Sequence, residues 1–268
     1  MSDSAFFVTE TPEPGIALVR LARPGSLNAM TVPMVEALRA ELERLDADPE
    51  CRVIVLTGEG RGFCAGLDLK AVLPEGGEAK GAVAWMRLQE AFAGLILAVR
   101  RVRQPVIAAV NGIAVGAGLG LALAADIRGA AADARFPIGA VRIGITAGEC
   151  GISYHLPRLV GAGRAFEIML TGRPVEAEEA LRIGLVTQLA DGPALREAAL
   201  GVARQIAANS PYAVKHSKQV MWANLEAPGL EAALQLENHT QVVGLMTEDF
   251  AEAARAFAEK RSPVFRGQ

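Results

Sequence analysis

The chain has 268 residues, 51% hydrophobic and 21% charged, with a net charge of −3. These values fit one large globular unit and give no compositional ground for disorder or for a nucleic-acid partner. Cys51, Cys64 and Cys150 form neither a CxxC pair nor a metal-ligand cluster; an odd count without a basic-then-apolar leader predicts reduced thiols and a cytoplasmic location. The first predicted element is a strand over Ile16–Leu21 (IALVRL). Thr31, with Pro33 behind it, marks the start of a helix that runs to Asp48. Val53–Thr57 (VIVLT) is a second buried strand. A helix over Ala82–Val102 ends ahead of Pro105, and the strand Val106–Val110 follows. The run Gly112–Ala125 is apolar but broken by glycines, and it falls short of the about 20 residues that a bilayer requires. It predicts a buried core segment, with Asp126–Ala131 as a fourth strand. Beyond Gly161 the pattern becomes one of amphipathic helices: Arg164–Leu170, Glu176–Ile183, Pro193–Ala208, Pro211–Asn224, Gly229–Met246 and Thr247–Lys260. A short run, Leu185–Leu189, reads as one more strand. The alternation predicts an α/β core with a helical C-terminal region.

Gly116, Gly118 and Gly120 invite a nucleotide-binding reading, but Leu121 stands where the dinucleotide fingerprint needs its third glycine. The Gly-Lys-Ser/Thr of a P-loop is absent as well. Close helix packing is the plainer use of these glycines.

Two segments carry a family pattern: Gly58–Lys70 (GEGRGFCAGLDLK) and Gln104–Asp126 (QPVIAAVNGIAVGAGLGLALAAD). They resemble the crotonase, or enoyl-CoA hydratase/isomerase, superfamily. Arg23–Met30, Arg158–Gly172, Glu176–Val186 and Phe257–Arg261 fit the same pattern in order, so the resemblance covers nearly the whole chain. It implies a spiral of ββα units over residues 1–205 and a C-terminal helical trimerisation region over 206–268. It also implies an acyl-CoA substrate, with CoA as part of the substrate rather than a cofactor, and a homotrimer or dimer of trimers. Neither a membrane nor a nucleic acid is an implied partner. An acyl thioester that loses its α-proton becomes an enolate oxyanion, which two preorganised backbone N–H groups can stabilise. The resemblance assigns these to Leu67, after Gly66, and to Ala117, after Gly116. It places CoA contacts at Pro24, Ser26, Leu27 and Asn28, at Asp68, Leu69 and Lys70, and, from a neighbouring subunit, at Phe257 and Lys260. For Lys260 a solvated charge on the last helix is an equally good reading.

Hydratases of this family hold their water with two glutamates. The matching positions here are Gly120 and Ala140, and neither is an acid. Water addition would lose its general base and its proton donor. Another acid, Glu149, lies in GECGISYHLP, which resembles the acid segment of peroxisomal-type Δ3,Δ2-enoyl-CoA isomerases, with Cys150 in place of the usual glycine. An isomerase needs one base, and an apolar pocket would raise its pKa toward neutrality. Taken alone, Glu149 reads rather as an acid at a helix N-terminus, and it is the oxyanion pattern with the two absent glutamates that turns the reading toward catalysis. The expected function is therefore a Δ3,Δ2-enoyl-CoA isomerase using Glu149. The alternatives are a divergent enoyl-CoA hydratase, a dienoyl-CoA isomerase, a thioester hydrolase, or an acyl-CoA-binding protein without catalysis. His155 and Tyr154 read as packing residues, His216 and His239 as surface or interface residues. Cys64 has no neighbouring base to activate it.

Overall fold

The computed structural model describes residues 2–3, 6–72 and 81–268. Among these the larger sheet has seven strands, in the order β1 (Ser2–Asp3), β2 (Phe7–Glu13), β3 (Ile16–Leu21), β4 (Val53–Gly58), β6 (Val106–Val110), β8 (Ile127–Ala131) and β11 (Gln188–Ala190). From β3 onward the neighbours are parallel, while β1 and β2 add on antiparallel. The smaller sheet runs β10 (Pro174–Glu176), β9 (Arg135–Pro137), β7 (Ile113–Ala114), β5 (Gly62–Cys64). The pairs β4–β5, β6–β7 and β8–β9 are successive turns of a spiral, each laying its first strand in the large sheet and its second in the small one. This is the crotonase-like architecture that the resemblance implied.

Covered strands read as unbroken apolar runs, because both faces are buried. All five residues of β6 are buried, as are Val53, Ile54, Val55 and Leu56 of β4. Helix α1 (Val32–Ala47) starts where Thr31 accepts a hydrogen bond from Met34 N and buries a stripe of Met34, Val35, Leu38, Leu42 and Leu45. A four-residue α2 (Leu69–Val72) comes next. Helix α3 (Ala82–Arg101) packs Leu88, Phe92, Leu95, Ile96 and Val99 against α1 and against α4 (Ala117–Ala124). Every residue of α4 is buried, so it is apolar on all sides. Next come α5 (Ile152–Val160), α6 (Ala162–Thr171), α7 (Ala177–Arg182) and α8 (Leu195–Ala207), which packs across the large sheet.

The strand expected at Leu185–Leu189 starts later, at Gln188. The N–H groups of Leu185 and Val186 instead donate back to Ala180 O and close α7. Asp126 stands just before β8 and uses its side chain as a junction. Oδ2 accepts from Val106 N at 2.7 Å and pairs with Lys218 Nζ at 2.9 Å, while Oδ1 accepts from Trp222 Nε1 at 2.7 Å. The last two residues belong to α9 (Pro211–Asn224), which is thereby pinned to the core; Arg100 stacks on the Trp222 ring. Beyond it lie α10 (Leu230–Leu245) and α11 (Glu248–Glu259), and neither α9 nor α10 buries a single residue.

Asp126→Ala leaves the Lys218 ammonium, whose side chain is 6% exposed, without its carboxylate. We expect a loss of about 3–5 kcal/mol, the cost of orphaning one partner of a buried pair, measured by denaturant unfolding.

Candidate active site

The N-terminus of α4 is the convergence point. Gly66, at φ +82°, presses so closely on the turn before α4 that a methyl group placed on it would lie 2.7 Å from Val115 O and 3.3 Å from Ala117 N. Val115 N donates to Cys64 O at 3.0 Å, and a methyl on Gly118 would lie 2.2 Å from that same oxygen. Only hydrogen fits at these places. The Gly62–Leu67 segment and the start of α4 therefore lie backbone against backbone. Among the described residues, neither Leu67 N–H nor Ala117 N–H donates to any protein group. Two N–H groups without a protein partner thus lie at the close junction of Gly66 with the N-terminus of a fully buried helix.

Glu149 reaches the same junction from the turn before α5. A methyl on Gly116 would lie 3.2 Å from its Oε1. The carboxylate is half-buried and accepts no hydrogen bond from the described residues, and burial raises its pKa above the ordinary glutamate value. The acid is turned toward α4 and not toward the N–H groups of α5, to which it contributes only its backbone oxygen, accepting from Ile152 N. A carboxylate with a raised pKa thus lies against the turn that precedes the Ala117 N–H.

The two positions where hydratases of the family carry glutamates are otherwise occupied. A methyl on Gly120 would lie 2.4 Å from Cys150 O and 2.7 Å from Cys150 Cβ. Ala140 is buried at the start of a short 3-10 turn.

The loop expected to meet CoA is tightly braced. Pro24–Ser26 form a 3-10 turn, and Leu27 and Asn28 follow at φ +51° and +57°. Asn28 is fully buried, and its side chain bonds inward: Oδ1 accepts from Arg23 N at 2.9 Å, and Nδ2 donates to Glu59 O and Gly62 O at 3.0 and 2.8 Å. The Asn28 side chain thus braces the loop from within. Ser26 Oγ donates to Arg23 O. Arg23, which the sequence reading passed over, pairs with Asp68 at 2.9 Å and donates to Ala29 O, tying the loop to the oxyanion segment. Leu69 and Lys70 are exposed on α2. Phe257 (87% exposed) and Lys260 lie at the far end of α11, and the Lys260 ammonium has no partner among the described residues.

Other polar residues are accounted for. His155 is buried edge-on to Tyr154 and Trp222, and burial, helped by Arg100, pushes its pKa down to about 4. Tyr154 donates to Glu226, and Tyr212 stacks on His216. Burial pushes the thiols of Cys51, Cys64 and Cys150 up to about 12, which leaves no thiolate nucleophile. A cavity of about 990 Å³ lies under the tail helices, lined by Asp126, Arg128, His155, Lys218 and Trp222. Leu67, Ala117 and Glu149 are not among its lining residues.

The sequence profile of the family described as Enoyl-CoA hydratase/isomerase matches residues 11–268. A Mycobacterium tuberculosis protein named "Probable enoyl-CoA hydratase EchA12" is 44% identical over 267 residues, 98% of this chain and 94% of its own length. The crystal structure of a "probable enoyl-CoA hydratase/isomerase" from Mycobacterium abscessus superposes with a TM-score of 0.90 at 40% identity, covering 98% of this chain and 100% of that one. That of a "monofunctional enoyl CoA isomerase" from M. smegmatis gives 0.74 at 41% identity, covering 87% and 99%. The likeness to isomerases is therefore one strand among relatives that carry hydratase names as well.

Glu149 binds its proton more tightly in the folded chain than in the unfolded one. Its ionised form is therefore a burden on stability above the folded pKa and none below the unfolded pKa. Glu149→Gln is expected to melt above wild type at pH 8, with the gap closing toward pH 4, as read by thermal unfolding across that range.

Proposed function

Since this chain belongs to the enoyl-CoA hydratase/isomerase family, we propose that the reaction it carries out on acyl-CoA is Δ3,Δ2-enoyl isomerisation, with Glu149 as the proton shuttle. The observation that carries this reading is the single free carboxylate beside two free backbone donors. The thioester oxygen of a 3-enoyl-CoA would accept hydrogen bonds from Leu67 N–H and Ala117 N–H. Glu149 would take a proton from C2, the two N–H groups would hold the resulting dienolate oxygen, and Glu149 would return the proton to C4. The double bond ends between C2 and C3, and the acid is back in its starting state. One group suffices because the reaction neither gains nor loses a proton.

Water addition makes a larger demand. It needs one group to deprotonate water and another to protonate the α-carbon, and Gly120 and Ala140 supply neither. The hydratase names of several relatives favour a divergent hydratase as the second reading. Conversion of a 3-enoyl-CoA to its 2-enoyl isomer, measured beside hydration of a 2-enoyl-CoA, separates the two. We expect isomerisation to dominate, and Glu149→Gln to lower its kcat by roughly 10²–10⁴-fold while KM stays close to wild type. Efficient hydration that is indifferent to Glu149→Gln would overturn both the reaction and the base.

We also propose a homotrimer, or a dimer of trimers, built through the tail. Met221, Leu230, Met246 and Phe257 are 67%, 74%, 81% and 87% exposed, which is costly for a chain that stays single. Closed assembly would cover them and bring Phe257 and Lys260 to a neighbour's CoA. Light scattering at micromolar concentration should give three or six chain masses, and one chain mass would refute the assembly.

A further inference from the structure

Helix α4 meets the acid-bearing turn at two points one helical turn apart. The first is Gly116, where an added methyl would lie 3.2 Å from Glu149 Oε1. The second is Gly120, where an added methyl would lie 2.4 Å from Cys150 O and 2.7 Å from Cys150 Cβ. Separations this short do not occur between such atoms, so the turn holds its place only while residue 120 has no side chain. Cys150 is itself unusual, a side-chain-bearing residue at φ +45°. Its thiol is no nucleophile, so what it brings is volume and a fixed backbone.

We propose that Gly120 and Cys150 are a positioning pair: their backbone packing sets the Glu149 carboxylate against Gly116, next to the oxyanion donors, and the same packing closes position 120 to a second carboxylate. The proposal rests on the reading of Glu149 as the base. It gives the absence of an acid on α4 a steric cause. The space such an acid would need is already taken by the turn that carries the other one.

The test uses the full-length protein, with kcat and KM for conversion of a 3-enoyl-CoA read beside the melting temperature. Gly120→Ala should lower kcat by about 10²-fold with KM within about threefold, the mark of a displaced catalytic group. Gly120→Ala/Cys150→Gly should regain at least about tenfold of that loss, because it removes the Cβ contact and gives the backbone at position 150 the freedom to draw its carbonyl oxygen back from the added methyl. Gly163→Ala, on the exposed first turn of α6 with nothing within 4 Å of the added methyl, should leave kcat unchanged. Wild-type turnover in Gly120→Ala, or a double variant no faster than Gly120→Ala, overturns the pair. If Gly120→Ala does not fold, the double variant decides: folding restored supports the pair, and folding still lost overturns it. Glu149→Gln in the same assay keeps the two readings apart. Wild-type turnover there removes the base itself, whereas an inactive Glu149→Gln beside a fully active Gly120→Ala removes only the positioning.

Discussion

The site depends on one contact, the approach of the glycine face of α4 to two loops at backbone distance. Gly118 admits Cys64 O, and Gly120 admits Cys150 O, each closer than any side chain would allow. Both loops are thereby clamped to the first turns of one buried helix, and its N-terminus becomes the place where an oxyanion and a proton carrier can meet. The clamp is made of main chain, which has no rotamers to lose. The spiral serves it: successive turns of sheet deliver β5 and then β7 to the small sheet, and the oxyanion segments leave from the ends of those strands.

The middle of the large sheet was readable because β3, β4, β6 and β8 are apolar and bounded, whereas its antiparallel edge was not: β1 is two residues long and β2 carries Thr9, Glu10 and Thr11. β3 and β6 span the predicted residues, and so does α9. The small sheet was not readable. Its strands hold two or three residues each, too few to show a period, and only the family resemblance implied them. Helix α5 was expected only as a helix behind Glu149, without bounds, and Pro157 stands inside it. Leu67 and Ala117 were singled out only through the family resemblance, since glycine spacing alone pointed no further than close packing. The contact between Gly120 and Cys150 was not legible, because it joins distant segments and no local pattern marks it. Asn28 shows the same limit. The resemblance named it for its loop, and nothing local marked that its amide bonds inward to Arg23 N, Glu59 O and Gly62 O.

Relatives named for hydration and the isomerisation proposed here are compatible at the level of fold. Both reactions stabilise the same enolate oxygen, and both need the same two N–H groups. They part at the carboxylates. One fold can host several chemistries, so the acids a site carries say more about its reaction than the scaffold does.

The brace at Arg23–Asn28 has a thermodynamic consequence for ligand capture. Two successive residues in the left-handed region, the inward amide of Asn28 and the Arg23–Asp68 pair fix this loop in the unliganded chain. Ordering a backbone costs roughly 1–2 kcal/mol per residue, and here the fold has met that cost in advance. A ligand lying along Pro24–Leu27 arrives at a surface already in shape. Its association would draw little on loop ordering, and the heat of binding would report contacts formed more than conformations surrendered.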